Sequence, residues 1–214
     1  MLQGIDVMNL QRCMDRRTRG WSWTVSWLWV VLLFASPATM AEPKRYVIDA
    51  EHVTVAFLVE HIGFAKVLGR FLSVSGEYTF DEASGVLSDV RIEVQTDSVS
   101  TDHERRDRHL RGADFLNVDE HSMMTYTAAS ANVKTDRTYT INGELELLGV
   151  KRPVQLTARW NKSGTYPFGG NPYVMGVSAR GSFKRSDFGM TYAVGNALVG
   201  DAVELILEFE ARPQ

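Results

Sequence analysis

The chain has one cysteine, Cys13, and none after it. Everything downstream therefore lacks a thiol nucleophile, a thiolate metal ligand and any disulfide, and must be held together by an ordinary core. Histidine is scarce as well, with five in 214 residues. His103 and His109 are six apart, which places them on different faces of a helix, so they form no ready metal pair. No nucleophile elbow is present: S-V-S-G at 73–76 has neither its spacing nor its strand-to-helix context. D-F-G at 187–189 matches a kinase triplet, yet no catalytic loop accompanies it. Long helical stretches are missing too. Beyond residue 41 there are 19 basic and 24 acidic residues, a net charge of −5. That balance argues against a nucleic-acid partner and against purely electrostatic attachment to anionic lipid. Catalytic residues, a metal site and a cofactor are not expected.

One long apolar run does occur, at the N-terminus. Arg12, Arg16, Arg17 and Arg19 precede Trp21 to Ala35, and small residues with Pro37 follow. This order of charge, apolar run and small residues reads as a secretory signal over residues 1–41, cleaved after Ala41 with Ala38 as the alternative. The competing reading, an uncleaved membrane anchor, needs a longer run. A start at Met14 would give the signal an ordinary length. The expectation is export, with residues 42–214 as the mature domain.

That domain alternates apolar and polar residues as half-buried strands do. Tyr46 to His61 holds two short extended runs. Leu72, Val74, Gly76, Tyr78 and Phe80 share one face of the next, and Val90, Ile92 and Val94 share one face of the strand after it. Strand pattern resumes at Met123, with a hairpin tip at 136–137. The clearest strand sets Tyr139, Ile141, Leu145 and Leu147 against Thr140, Asn142, Glu144 and Glu146. Three more follow, around Leu156, Met175 and Leu205. The sum is about eight antiparallel strands, each with one apolar and one polar face. Without helices to cover the apolar face, the sheet must close on itself or pack on another, and closure also removes exposed edges. An all-β, eight-stranded antiparallel barrel is expected. Gly76, Gly143 and Gly181 fall on apolar faces, where they either leave interior volume or relieve bending. Filled and hollow barrels are both compatible with the pattern. A hollow one would be lined by Phe57, Tyr78, Ile92, Ile141, Leu145, Leu156, Trp160, Met175 and Phe183.

Residues 101–117 break the pattern. They are dense in charge and read as a short helix, with Thr101 and Glu104 as a capping box and Gly112 as a left-handed stop. Asp102–Arg106, Glu104–Arg108 and Asp107–Arg111 are acid-before-base pairs four residues apart. So polar a helix must be anchored through Leu110, Phe115 and Leu116. Arg105 has no such acid, so Arg105, and after it Arg108, are the candidate contacts for an anionic ligand group at a cavity mouth bordered by Leu110 and Phe115.

Several segments carry a resemblance: Y-V-I-D-A-E-H (46–52), F-L-V-E-H-I-G-F (57–64), G-E-Y-T-F-D (76–81), S-V-S-T-D-H-E-R-R-D-R-H-L-R-G-A-D-F-L-N (98–117), G-E-L-E-L-L-G-V-K-R-P-V (143–154), G-S-F-K-R-S-D-F-G-M (181–190) and G-D-A-V-E-L (200–205). In this order they resemble the YceI-like family of exported bacterial lipid- and polyisoprenoid-binding proteins. The resemblance implies a hollow, lipocalin-like extended barrel with one short helix, holding the tail of an isoprenoid-like lipid or a quinone. It implies a carrier without catalysis, with transient membrane contact for ligand exchange and a homodimer as one assembly. The rival readings are an enzyme acting on the bound lipid and an envelope interaction module with a filled barrel.

Overall fold

The computed structural model describes residues 42–214, and within them the side chains of 132–135 are not described. The expected signal segment, its cleavage position and the Met14 start lie outside the described residues.

Ten strand segments form the sheet: β1 (Lys44–His61), β2 (Ala65–Phe71), β3 (Val74–Asp81), β4 (Val86–Gln95), β5 (Val99–Ser100), β6 (Met123–Thr135), β7 (Thr138–Leu147), β8 (Val150–Thr165), β9 (Tyr173–Lys184) and β10 (Val199–Pro213). They amount to eight strands. Both β2 and β3 pair antiparallel with β1, β3 along Lys44–Val47 and β2 along Val55–His61, so they are one strand broken at Leu72 and Ser73. The strand made of β4 and β5 is broken in the same way by a 3-10 turn at Thr96–Ser98. Ser98 serves both breaks: its hydroxyl accepts from the N–H groups of Leu72 (3.2 Å) and Ser73 (3.1 Å) and donates to the carbonyl of Gln95 (2.6 Å). From there the order runs β3-β4-β6-β7-β8-β9-β10, and β10 pairs with β1 to close an antiparallel barrel.

The alternating sequence drives this closure. In β7, Tyr139, Ile141, Leu145 and Leu147 are buried while Asn142 and Glu144 are exposed, the period-2 pattern of a wall with one wet face. Asp136 and Arg137 both have positive φ (52° and 61°), giving the two-residue hairpin turn whose twist suits flanking strands. Two sequence expectations are modified. The two runs of residues 46–61 are one strand whose register against β10 shifts between Ile48 and Val53, a bulge that accommodates Asp49 to His52. Leu72, expected inside, is exposed because it occupies the break between β2 and β3.

The expected helix is present as α1 (Glu104–Arg111), packed on the barrel end near β5. Its fastenings differ from the expected ones. His103, not Thr101, is the N-cap, its Nδ1 accepting from Arg106 N–H (3.3 Å). Gly112 ends the helix in an extended conformation (φ −74°), not a left-handed one. Of the three i,i+4 pairs only Glu104–Arg108 forms, and it is solvent-exposed. Asp107 turns inward instead, accepting from the Thr101 hydroxyl and backbone N–H. Arg111 donates to the carbonyls of Asp97 (2.6 Å) and Val99 (2.7 Å). The helix is therefore tied to the strand break beneath it. Burial would raise the Asp107 pKa, but the Thr101 hydrogen bonds, with Arg111 and Arg106 nearby, hold it below the usual value.

Asp107→Asn should cost about 2 kcal/mol of stability at neutral pH, the range for a hydrogen bond to a charged group, read by urea unfolding. Because the folded value lies below the unfolded one of about 3.9, the contribution is complete above that pH. It is lost as pH falls through the folded value, so the gap between variant and wild type should close in acid.

Candidate functional site: an apolar cavity open at the helix end

A cavity of about 430 Å³ occupies the half of the barrel beneath α1, within the usual ~300–1,000 Å³ range of small-molecule sites. Of the residues expected to line it, Phe57, Ile92, Leu145, Leu156 and Phe183 do. Phe57 lies across Gly69 on β2, where an added Cβ would sit 2.2 Å from its ring, so the bare backbone lets the aromatic lie flat against the wall. Tyr78, Ile141, Trp160 and Met175 are elsewhere. They surround a separate void of about 60 Å³ in the other half, which Ile92 and Leu156 also border.

Tyr126 and Leu207 stand between the two spaces. The Tyr126 hydroxyl is buried and shared between the carbonyls of Ile141 (3.2 Å) and Val154 (3.1 Å) on β7 and β8. Burial pushes its pKa up to about 12. It reaches across Gly143, where a Cβ would come within 2.4 Å of the ring and hydroxyl. Gly143 thus creates no cavity; its space holds Tyr126. Gly76 and Gly181 are similarly occupied, by Ile48 and Leu156. The volume-leaving reading of these glycines is corrected: neighbouring side chains fill the space they leave.

The far end of the barrel is shut. Tyr46 stacks on Tyr78 (centroids 5.4 Å apart), and Phe80 packs edge-on against Tyr139 and Trp160. Over them Glu82 accepts from Tyr46 (2.6 Å), Ser163 (2.6 Å) and Tyr173 (2.9 Å). Burial would raise the Glu82 pKa, yet these three hydroxyls, with Lys44 nearby, hold it below the usual value. The Tyr78 hydroxyl finds only the thioether of Met175, at 3.3 Å.

At the open end Leu110 and Phe115 line the cavity, at the places expected for a mouth. Arg105 and Arg108 do not. Both are exposed on the outer face of α1, and Arg108 pairs with Glu104. The helical period explains the difference: Arg106 and Leu110, four apart, share the inward face, and Arg105 and Arg108 are turned away. Arg106, His109 and Arg185 border the cavity instead. Arg106 is committed to Thr101, donating to its hydroxyl (2.7 Å) and carbonyl (2.8 Å).

Arg185 was not singled out from sequence. It is only 2% exposed and has no carboxylate within ion-pair distance among the described residues. Its guanidinium donates to the carbonyls of Gly200 (2.8 Å), Met190 (2.9 Å), Tyr192 (2.7 Å) and Val199 (3.0 Å). It also lies 5.8 Å from the centre of the Phe115 ring. Burial lowers its pKa, and Asp201 partly offsets that. No local pattern betrays such an arginine, because all its acceptors are backbone atoms.

Among the described residues, one group of metal-capable side chains comes together: Asp49, His52 and Glu210, at the β1 bulge. Arg212 already donates to Asp49 (2.6 Å), and none of the three lines the cavity. The geometry supplies an apolar chamber.

The family model described as the YceI-like domain matches residues 46–211. The chain belongs to the YceI-like family. A UPF0312 protein of Pectobacterium carotovorum is 36% identical over 182 residues, covering 85% of this chain and 92% of its own. One of Yersinia enterocolitica is 35% identical over 179 residues, with 84% and 91% covered. Among solved structures, the Campylobacter jejuni YceI protein superposes with a TM-score of 0.63 at 26% identity, covering 72% of this chain and 90% of its own. BcnA of Burkholderia cenocepacia gives 0.66 at 15% identity, with 76% and 98% covered. A polyisoprenoid-binding domain from Saccharophagus degradans gives 0.59 at 17% identity, with 79% and 98% covered. The last two establish the barrel fold. In this YceI-like barrel the segments 98–117, 181–190 and 200–205 meet around the mouth: Ser186 links to Asp201 (2.8 Å), and Arg185 reaches Gly200 while facing Phe115.

Arg185→Lys keeps the charge but cannot serve four carbonyls. A loss of about 3 kcal/mol is expected in urea unfolding, together with faster proteolysis of the 190–199 loop under native conditions.

Proposed function

We propose that this YceI-like protein binds and carries an amphiphilic isoprenoid-type lipid, a polyisoprenoid or a quinone, with its tail inside the barrel and without catalysing a reaction on it. The observation that carries this reading is the chamber itself, apolar along its length and open at one end. A methylene is about the size of a water molecule, whose share of the liquid is about 30 Å³, so 430 Å³ accommodates roughly 14 such groups. Burial of the tail drives binding at about 25 cal/mol per Å² before association costs are met. The polyisoprenoid-binding description of the Saccharophagus degradans domain, which shares the fold, supports this class of ligand. The reading places the carrier in the periplasm, exported by the segment of residues 1–41 and touching membrane transiently to exchange its ligand.

Native mass spectrometry and lipid extraction of protein purified from its own host test the proposal, and a bound isoprenoid-type lipid is the expected result. Lipid-free protein that takes up no environment-sensitive fluorophore would point to a filled interaction module, and turnover of the extracted lipid to an enzyme. Leu145→Trp, which fills the main chamber, should weaken fluorophore uptake at least about tenfold, as expected when apolar area is lost to the ligand.

A further inference from the structure

The cavity mouth is made by two segments joined to each other. The turn at 62–64, between β1 and β2, is bonded to the 190–198 loop through Ile62 N–H and the Leu198 carbonyl (3.1 Å). Ile62, Tyr192 and Leu198 line the mouth and are each a little under half exposed, and beside them Phe64 is 91% exposed. Scattered exposed apolar groups are ordinary, but two features set this rim apart. Ile62 has φ 53°, a backbone region where a β-branched residue is an outlier and where Asn or Gly sits without strain. The turn carries a large apolar side chain at its tip in spite of that cost. Residues 191–200 also contain no charged side chain, although much of this loop is exposed. Nearby, Lys66 is neutralised by Glu204.

We infer that the 62–64 turn and the 192–198 loop form a rim that inserts into the headgroup–acyl boundary of a lipid surface. The mouth then opens onto the bilayer, and a tail passes into the barrel without crossing water. This deepens the carrier reading and rests on it. Continuity decides the occupant: Ile62, Tyr192, Ala193 and Leu198 of the rim also line the cavity, so a protein seated there would seal the chamber, whereas lipid would extend it. With a net charge of −5 beyond residue 41, attachment is by apolar insertion rather than by attraction to anionic headgroups, and it is insensitive to salt.

Residues 42–214 close their own sheet and core, so they are assayed without the preceding apolar run, which would itself bind lipid. The measurement is co-flotation with neutral phosphatidylcholine vesicles at low and at high salt. Wild type should float equally at both. The double variant Ile62→Asn with Phe64→Ser should lose about tenfold or more of its vesicle-bound fraction while melting no lower, since Asn suits the backbone at position 62. Phe168→Ser, which alters a phenylalanine 70% exposed in the β8–β9 loop at the shut end, should float as wild type does. Unchanged flotation of the double variant, equal loss with Phe168→Ser, salt-sensitive binding or a wild type that stays in solution would each overturn the inference. A soluble dimer dispersed by Phe64→Ser would make the rim a protein contact instead. Fluorophore uptake in vesicle-free solution reports the chamber separately and should survive in Phe64→Ser alone, because Phe64 does not line the chamber. Flotation without uptake would keep the rim and remove the carrier reading.

Discussion

A buried guanidinium with no carboxylate in ion-pair contact among the described residues must be surrounded by acceptors, and the mouth of this barrel is arranged around that requirement. Arg185 leaves the end of β9, where a 3-10 turn begins, and draws the carbonyls of Met190, Tyr192, Val199 and Gly200 toward it. A loop with no charge of its own is thereby folded back over the start of β10. Tyr192 is then positioned to meet His109 and Phe115, with ring centroids 5.1 and 5.3 Å away. One electrostatic necessity fixes the loop, the helix anchor and the outline of the mouth together. A fork of five donors can meet it, whereas a point charge cannot.

The two ends of the barrel solve opposite problems. At the shut end the interior is filled with stacked and edge-on rings, and the polar tips of Tyr46 and Tyr173 converge on Glu82. At the open end the sheet itself is interrupted at two neighbouring places, and a polar helix is laid over the gap. Its inward contacts are Asp107 with Thr101, Arg106 with Thr101 and Arg111 with the carbonyls of Asp97 and Val99. Buried polar groups in this region are largely satisfied locally, so the interior beside them can remain apolar.

The strands and the closure were legible because alternation over many residues is a repeated signal. The cavity was legible only in part: five of nine expected lining residues surround the main chamber, and four belong to the space beyond Tyr126. Position along a strand axis, unlike inward or outward facing, leaves no mark in the alternation. The helix was visible, but its partners were not, since i,i+4 counting treats a helix as isolated. Arg105 was singled out because position 101 holds no acid to pair with it, whereas Arg106 was assigned to Asp102; in the fold Asp102 faces Arg70 and Arg106 turns to Thr101. The glycines misled for a related reason. A missing side chain marks space in the sequence, but only the tertiary neighbour decides whether that space stays empty.

Tyr126 has a consequence for how the interior measures what enters it. Its ring is fixed by carbonyls of two adjacent strands and by the bare backbone of Gly143, so it behaves as a crossbar rather than as a yielding wall. A chain that ends short of the crossbar meets a preformed space. A longer one must pull the hydroxyl away from the two carbonyls that share its proton before gaining further contact. Discrimination by length in such a chamber is a threshold, not a gradient.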